Sequence, residues 1–210
     1  MKARRVLAAA GVMCSVLLAG CAQLLPGVGG VAASPVATTP SGTGPSATPT
    51  DLVAARKAAG IEDCPPSSDA PAVTGGLPDV TLECLGGGST VRLAGLRGPM
   101  LVNLWAQWCE PCQAEAPHIA AFATTQKKVA VLGIDYSDPQ PELAIQFAQL
   151  FGATYPQLSD LDNRLKGPLG VTGIPYTLLI DTDGRIVARH PGQFVSLENV
   201  QSWVAKGLGG

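Results

Sequence analysis

Cys109 and Cys112 stand two residues apart in the run Trp105-Ala106-Gln107-Trp108-Cys109-Glu110-Pro111-Cys112. An apolar stretch precedes the pair and a segment of helical composition follows it, which puts both sulfurs at a strand-to-helix junction. Unpaired N–H groups and the positive end of the helix dipole favour a thiolate on Cys109, and the thiolate is the attacking species. Cys112, one turn further in, is placed to resolve any mixed disulfide formed on Cys109. Pro111 fits the first turn, where a backbone donor would be unpaired anyway. Glu110 beside Cys109 opposes the thiolate and partly offsets the dipole, which leans toward a reducing pair. A zinc site needs a second close pair of Cys or His, and neither the wide Cys64/Cys84 separation nor His118 and His190 supplies one, so no metal is expected. A structural staple across two intervening residues would close almost no loop and add little stability.

The elements that position this pair are legible as mixed β and helical patterns. Residues 80–84 and 89–93, separated by Gly86-Gly87-Gly88, read as a hairpin. Residues 100–105 and 129–135 are apolar runs suited to buried strands, and residues 110–125 form the helix between them. Pro141 opens a second amphipathic helix with Leu143, Phe147, Leu150 and Phe151 as its apolar face. Residues 176–180 and 185–189 flank Asp183-Gly184, a hairpin signal. A closing helix starts near Ser196, with Val200, Trp203 and Val204 facing the core. The order predicts an α/β fold, a central mixed sheet flanked by helices. Asp160, Asp162 and Asn163 lack the remaining ligands of a calcium loop and read as turn residues. His118 and His190 read as surface residues.

Ahead of the domain, Lys2, Arg4 and Arg5 precede an apolar run over residues 6–18 that is too short to span a membrane comfortably. The run closes in Leu17-Leu18-Ala19-Gly20-Cys21, which resembles a bacterial lipobox with cleavage before Cys21 and lipid on its sulfur. Residues 1–20 are thus expected to be a lipoprotein signal peptide, and residues 21–59 a lipid-anchored flexible linker. The linker is uncharged and rich in Pro, Gly, Ala, Ser and Thr up to residue 50. A short Ala-rich helix over residues 51–59 precedes a domain at 60–210. The net charge of −2 offers no basic field for nucleic acid. Export places the chain where disulfides persist. Cys14 leaves with the signal and Cys21 carries lipid, so Cys64 and Cys84 remain beside the active pair. A structural disulfide between them is the leading expectation; two free thiols or a second redox pair relaying electrons are the alternatives.

From about residue 60 to 210 the chain resembles the TlpA/ResA branch of thioredoxin-like proteins. The likeness rests on Trp108-Cys109-Glu110-Pro111-Cys112, on Pro117 where the active-site helix of such proteins bends, and on Gly173-Ile174-Pro175 before a strand. It implies a thioredoxin-like fold with an N-terminal β-hairpin and a TlpA-type insertion of a helix and a strand between Asp135 and Gly170. It also implies a cis Pro175 facing the cysteines, with Ile174 offering its backbone to an extended substrate. Asn103 stands where thioredoxins carry a buried Asp. Glu115 matches the acidic residue that ResA-like reductases place near the buried cysteine, where it would help move the Cys112 proton.

The resemblance implies a lipid-anchored thiol–disulfide oxidoreductase at the extracytoplasmic face of the bacterial membrane. It would reduce exported protein disulfides, apocytochrome c in cytochrome c maturation foremost, and be recharged by a membrane thiol donor of the CcdA/DsbD type. No cofactor beyond the Cys109/Cys112 dithiol is expected. An oxidase or isomerase of secreted proteins is the alternative within the class, since direction depends on potential. A peroxidase would need a Pro-x-x-x-Thr-x-x-Cys setting, which is missing. A non-catalytic binding lipoprotein is the alternative from another class.

Overall fold

The computed structural model describes residues 48–209. The expected signal peptide, the lipid attachment at Cys21 and the linker up to residue 47 lie outside the described residues. Among those described, no helix is long and apolar enough to cross a membrane.

The sheet has seven strands: β1 (Thr81–Cys84), β2 (Thr90–Arg92), β3 (Met100–Trp105), β4 (Ala130–Tyr136), β5 (Gln157–Asp160), β6 (Tyr176–Ile180) and β7 (Ile186–Pro191). Their order is β2-β1-β5-β4-β3-β6-β7. β3 lies in the middle, parallel to β4 and antiparallel to β6, and every one of its six residues is buried. That is why its sequence is a continuous apolar run rather than an alternation. Among the described residues, five α-helices accompany the sheet: α1 (Pro49–Ala58), α2 (Glu110–Thr125), α3 (Pro141–Leu150), α4 (Lys166–Leu169) and α5 (Leu197–Gly207). One face of the sheet packs Leu101, Trp105 and Val131 against α2, α3 and α5 through Ile119, Phe122, Ala144, Ala148, Val200 and Val204. The other face packs Val102, Leu104 and Ile134 against Leu165 and Leu169 beside α4 and against Leu93 and Leu96. The expected mixed sheet, N-terminal hairpin and inserted helix and strand are all present, the insertion placing β5 between β4 and β1.

Three expectations need revision. The helix expected over residues 51–59 is present as α1, starting at a Thr48/Asp51 capping box, but it packs on the domain through Leu52 and Ala59 instead of belonging to a flexible linker. Its Arg56 is 3% exposed and donates to the carbonyls of Leu85 and Gly87 and to Asp63. Gly86, at φ +80°, leaves room for this approach, since a Cβ there would meet the Leu52 carbonyl at 2.9 Å. In α3 the buried residues are Ala144, Ile145, Phe147 and Ala148, while Leu143 and Leu150 are exposed. The alanines let α3 approach the sheet closely enough for Phe147 to stack on Trp105, with centroids 4.6 Å apart. Larger residues on the opposite face are left to solvent. Finally, His190 is not a plain surface residue: it stacks on Phe194 at 4.0 Å.

Cys64 and Cys84 are joined in a disulfide, with Cα atoms 6.0 Å apart, that ties the segment before β1 to the hairpin. In register, Cys84 sits beside Leu158, then Ile134, then Leu104. At about 4.8 Å per strand this places Cys84 roughly 14 Å from β3, too far for direct exchange with the active pair.

Candidate active site

The site is built where β3 ends and α2 begins. Cys109 is the N-cap of α2, and its Sγ accepts from the Cys112 backbone N–H at 3.2 Å. A reduced Cys109 would keep that donor, so the local backbone itself favours its thiolate. The two cysteines are disulfide-bonded, with Cα atoms 5.2 Å apart. Cys109 is 5% exposed and Cys112 1%, which makes Cys109 the more accessible sulfur. Glu110 and Pro111 form the exposed first turn, and Pro117 lies inside α2 on its exposed side.

Pro175 follows a cis peptide bond, and the Ile174 carbonyl oxygen lies 3.6 Å from Cys109 Sγ. Cys109 opens on a groove of about 500 Å³ bounded by Trp108, Glu110, Tyr136, Lys166 and Ile174. Trp108 is 54% exposed at its rim. The loop ahead of the cysteines is held from the insertion: Asp138 accepts from the backbone N–H of Gln107 and, with its other oxygen, from that of Gln140 at the start of α3.

Glu115, one turn beyond Cys112 on α2, is 1% exposed. Its carboxylate accepts from Asn103 Nδ2 and from the Phe194 N–H, each at 3.0 Å. Burial pushes its pKa up to about 7, against the opposing pull of these two donors. Asn103 also donates to Thr177 Oγ1. An acid buried one helical turn from the resolving sulfur, titrating near neutrality, is suited to taking and returning a proton.

The structure thus brings together Cys109, Cys112, Glu115, Asn103, Ile174 and Pro175, with Trp108, Glu110 and Pro111 at the rim. Cys64 and Cys84 lie apart. Two participants, Thr177 and Phe194, and one buried acid outside these contacts, Asp135, carry no clear signal in the sequence. Thr177 and Phe194 reach the site only through long-range packing and carry no local signal. Asp135 is fully buried on β4, and neither carboxylate oxygen has a hydrogen-bond partner. Burial, with Asp138 nearby, pushes its pKa up to about 9. An acid inside the apolar run Val131-Leu132-Gly133-Ile134 was the visible hint. Among the described residues no group of His, Cys, Asp and Glu is arranged to hold a metal.

Residues 73–189, which contain the cysteine pair and the cis-proline, match the AhpC/TSA family. The chain belongs to the AhpC/TSA family. Within this family the kinship expected from the motifs is borne out. The thiol:disulfide interchange protein HelX of Rhodobacter capsulatus is 36% identical over 118 residues, 55% of this chain and 65% of that one. The thiol-disulfide oxidoreductase ResA of Geobacillus thermodenitrificans is 32% identical over 118 residues, 55% of this chain and 67% of that one. The chain spans just over half to about two thirds of the curated relatives it matches. Among solved structures, MTB DsbF, described in mixed oxidized and reduced forms, superposes with a TM-score of 0.56 at 26% identity, covering 62% of this chain and 98% of that one. This family member therefore has the thioredoxin-like fold that its sequence predicts.

Proposed function

We propose that the chain is an extracytoplasmic thiol–disulfide oxidoreductase, tethered to the membrane through Cys21, that reduces disulfides in exported proteins. The observation that carries this reading is the Cys109 sulfur, at a helix N-terminus and 3.6 Å from the carbonyl that precedes cis-Pro175. The names of the relatives, thiol:disulfide interchange protein and thiol-disulfide oxidoreductase, support the same chemistry.

In the working direction, the Cys109 thiolate attacks one sulfur of a substrate disulfide. An S–S bond forms between Cys109 and the substrate as the substrate's own bond breaks, and the other substrate sulfur leaves as a thiolate that takes a proton from solvent. Glu115 then accepts the Cys112 proton. The Cys112 thiolate attacks Cys109 Sγ, closing the Cys109–Cys112 disulfide and expelling the second substrate sulfur as a thiolate, which takes up the proton held by Glu115. Two electrons have passed from the enzyme dithiol to the substrate. A membrane dithiol donor of the CcdA/DsbD type restores them by the reverse exchange.

Trp108 and Ile174 flank the groove in which the substrate cysteine would lie, and the Ile174 backbone is free to pair with an extended chain. Apocytochrome c is the preferred substrate, on the ResA-like resemblance of the motifs. The anchor rests on the lipobox residues 17–21.

The test is a Cys112→Ala variant expressed in its native cell, which should accumulate exported proteins as mixed disulfides on Cys109. Apocytochromes among the trapped proteins support the reductase reading. A broad mixture of secreted proteins points instead to oxidative folding, and no trapped protein at all refutes the enzyme.

A further inference from the structure

Glu115 receives one hydrogen bond on each carboxylate oxygen, and both donors connect to one position on the edge strand β7. Asn103 Nδ2 is shared between Glu115 and Thr177 Oγ1. Thr177 on β6 pairs in register with His190 on β7. His190 in turn stacks flat on Phe194, with rings 4.0 Å apart and 11° from parallel. The Phe194 N–H is the second donor to Glu115. Trp203 of α5 closes the cluster edge-on, 5.4 Å from Phe194 and 5.9 Å from His190. Phe194 lies in the irregular connection between β7 and α5, where no ladder holds its backbone. What fixes its amide is its ring, only 3% exposed and gripped by two aromatic neighbours. His190 Nε2 is buried without a hydrogen-bond partner, so the imidazole is held by its faces.

We propose that His190 is a positioning residue for Glu115: by stacking on Phe194, with Trp203 as the brace, it keeps the Phe194 N–H aimed at the carboxylate. This inference rests on the proposed role of Glu115 as proton acceptor for Cys112. A donor to the carboxylate favours its charged form, so loosening the clamp raises the proton affinity of Glu115. The ionisable side chains on the elements packed around Glu115 include Glu110, Cys112 and His118 on α2, Asp135 on β4, Tyr155 ahead of β5, Arg189 and His190 on β7, and Glu198 and Lys206 on α5. Of these, His190 alone touches the ring whose backbone holds the carboxylate.

The test is a carbon NMR titration of the Glu115 carboxyl in the oxidised full chain. His190→Leu keeps an apolar side chain but loses the flat face, and it should raise the midpoint by about one pH unit above the wild-type value near 7. Trp203→Leu should shift it in the same direction. His190→Phe restores the stack without a titratable ring and should return the midpoint to the wild-type value. An unmoved midpoint in both leucine variants overturns the clamp. So does a His190→Phe shift as large as that of His190→Leu, because the charge of the imidazole and not its face would then be responsible. Failure of the underlying reading looks different: Glu115→Gln would leave the reduction rate unchanged while the NMR shifts persist.

Discussion

Replacing Glu115 by Gln swaps a titrating carboxyl for an amide of nearly the same shape, and its effect on stability has a sign that depends on pH. The carboxyl is almost wholly buried and titrates at about 7 in the folded protein, against an ordinary value of 4.5, because burial disfavours its charged form. Between these two values the native state holds a proton that the unfolded chain has lost. Stability therefore falls as pH rises through that window. Once Glu115 is ionised, above pH 7, the folded protein has lost roughly 3 kcal/mol relative to pH 4 from this group alone. The amide carries no such slope. It does carry a fixed cost, since Asn103 and Phe194 both donate and only one amide oxygen can accept, leaving one donor facing the amide NH2 at about 1–3 kcal/mol. The variant should thus be less stable than wild type at pH 5 and should draw level with or overtake it by pH 8. Urea unfolding of the oxidised protein at both values measures the difference, and the descent contributed by Asp135 is common to both proteins. Parallel stability curves would refute the reasoning. The same variant should slow disulfide reduction by roughly 100-fold, the lower end of what a positioned proton acceptor supplies.

Asp135→Asn removes a second buried carboxyl, one with no hydrogen-bond partner and a pKa pushed up to about 9. It should stabilise the protein increasingly between pH 4 and 9, by an amount on the order of 6 kcal/mol at pH 8, and a flat difference across that range in urea unfolding would contradict it. The double variant Cys64→Ala/Cys84→Ala opens a cross-link of sequence separation 20 and should cost about 3 kcal/mol in thermal or urea unfolding. Its insulin reduction rate should stay at the wild-type level, whereas a large loss would revive the electron-relay reading.

Much of the site was legible because its signals are local. The cysteine spacing, Pro111 in the first turn and the preceding apolar run locate the end of β3 and the start of α2 without reference to the rest of the chain. Asp183-Gly184 and the glycine run at 86–88 mark their hairpins through positive φ. Position-specific contacts were not legible. Periodicity points to Leu143 and Leu150 on the apolar face of α3, whereas close packing on the sheet selects alanine at 144 and 148. β5 has only four residues, and Gln157 is buried in it because its side chain accepts from Trp105 Nε1, a partner 52 residues away. α1 did carry a local signal, the Thr48-Pro49-Thr50-Asp51 start, but its docking depends on Arg56 finding two carbonyls in the first hairpin. The donors to Glu115 likewise come from β3 and from the turn before α5, 12 and 79 residues away in sequence.

Everything chemical depends on Cys109 being the ionised, reachable sulfur of the pair and Cys112 the covered one. Fully reduced protein should be treated with a limiting amount of iodoacetamide across a pH series, and the modified cysteine identified by mass spectrometry at each point. Cys109 should be labelled first, with a midpoint below the ordinary thiol value of about 8.5, and Cys112 should stay unlabelled until the protein unfolds. Preferential labelling of Cys112, or a Cys109 midpoint at or above the ordinary value, would contradict the account.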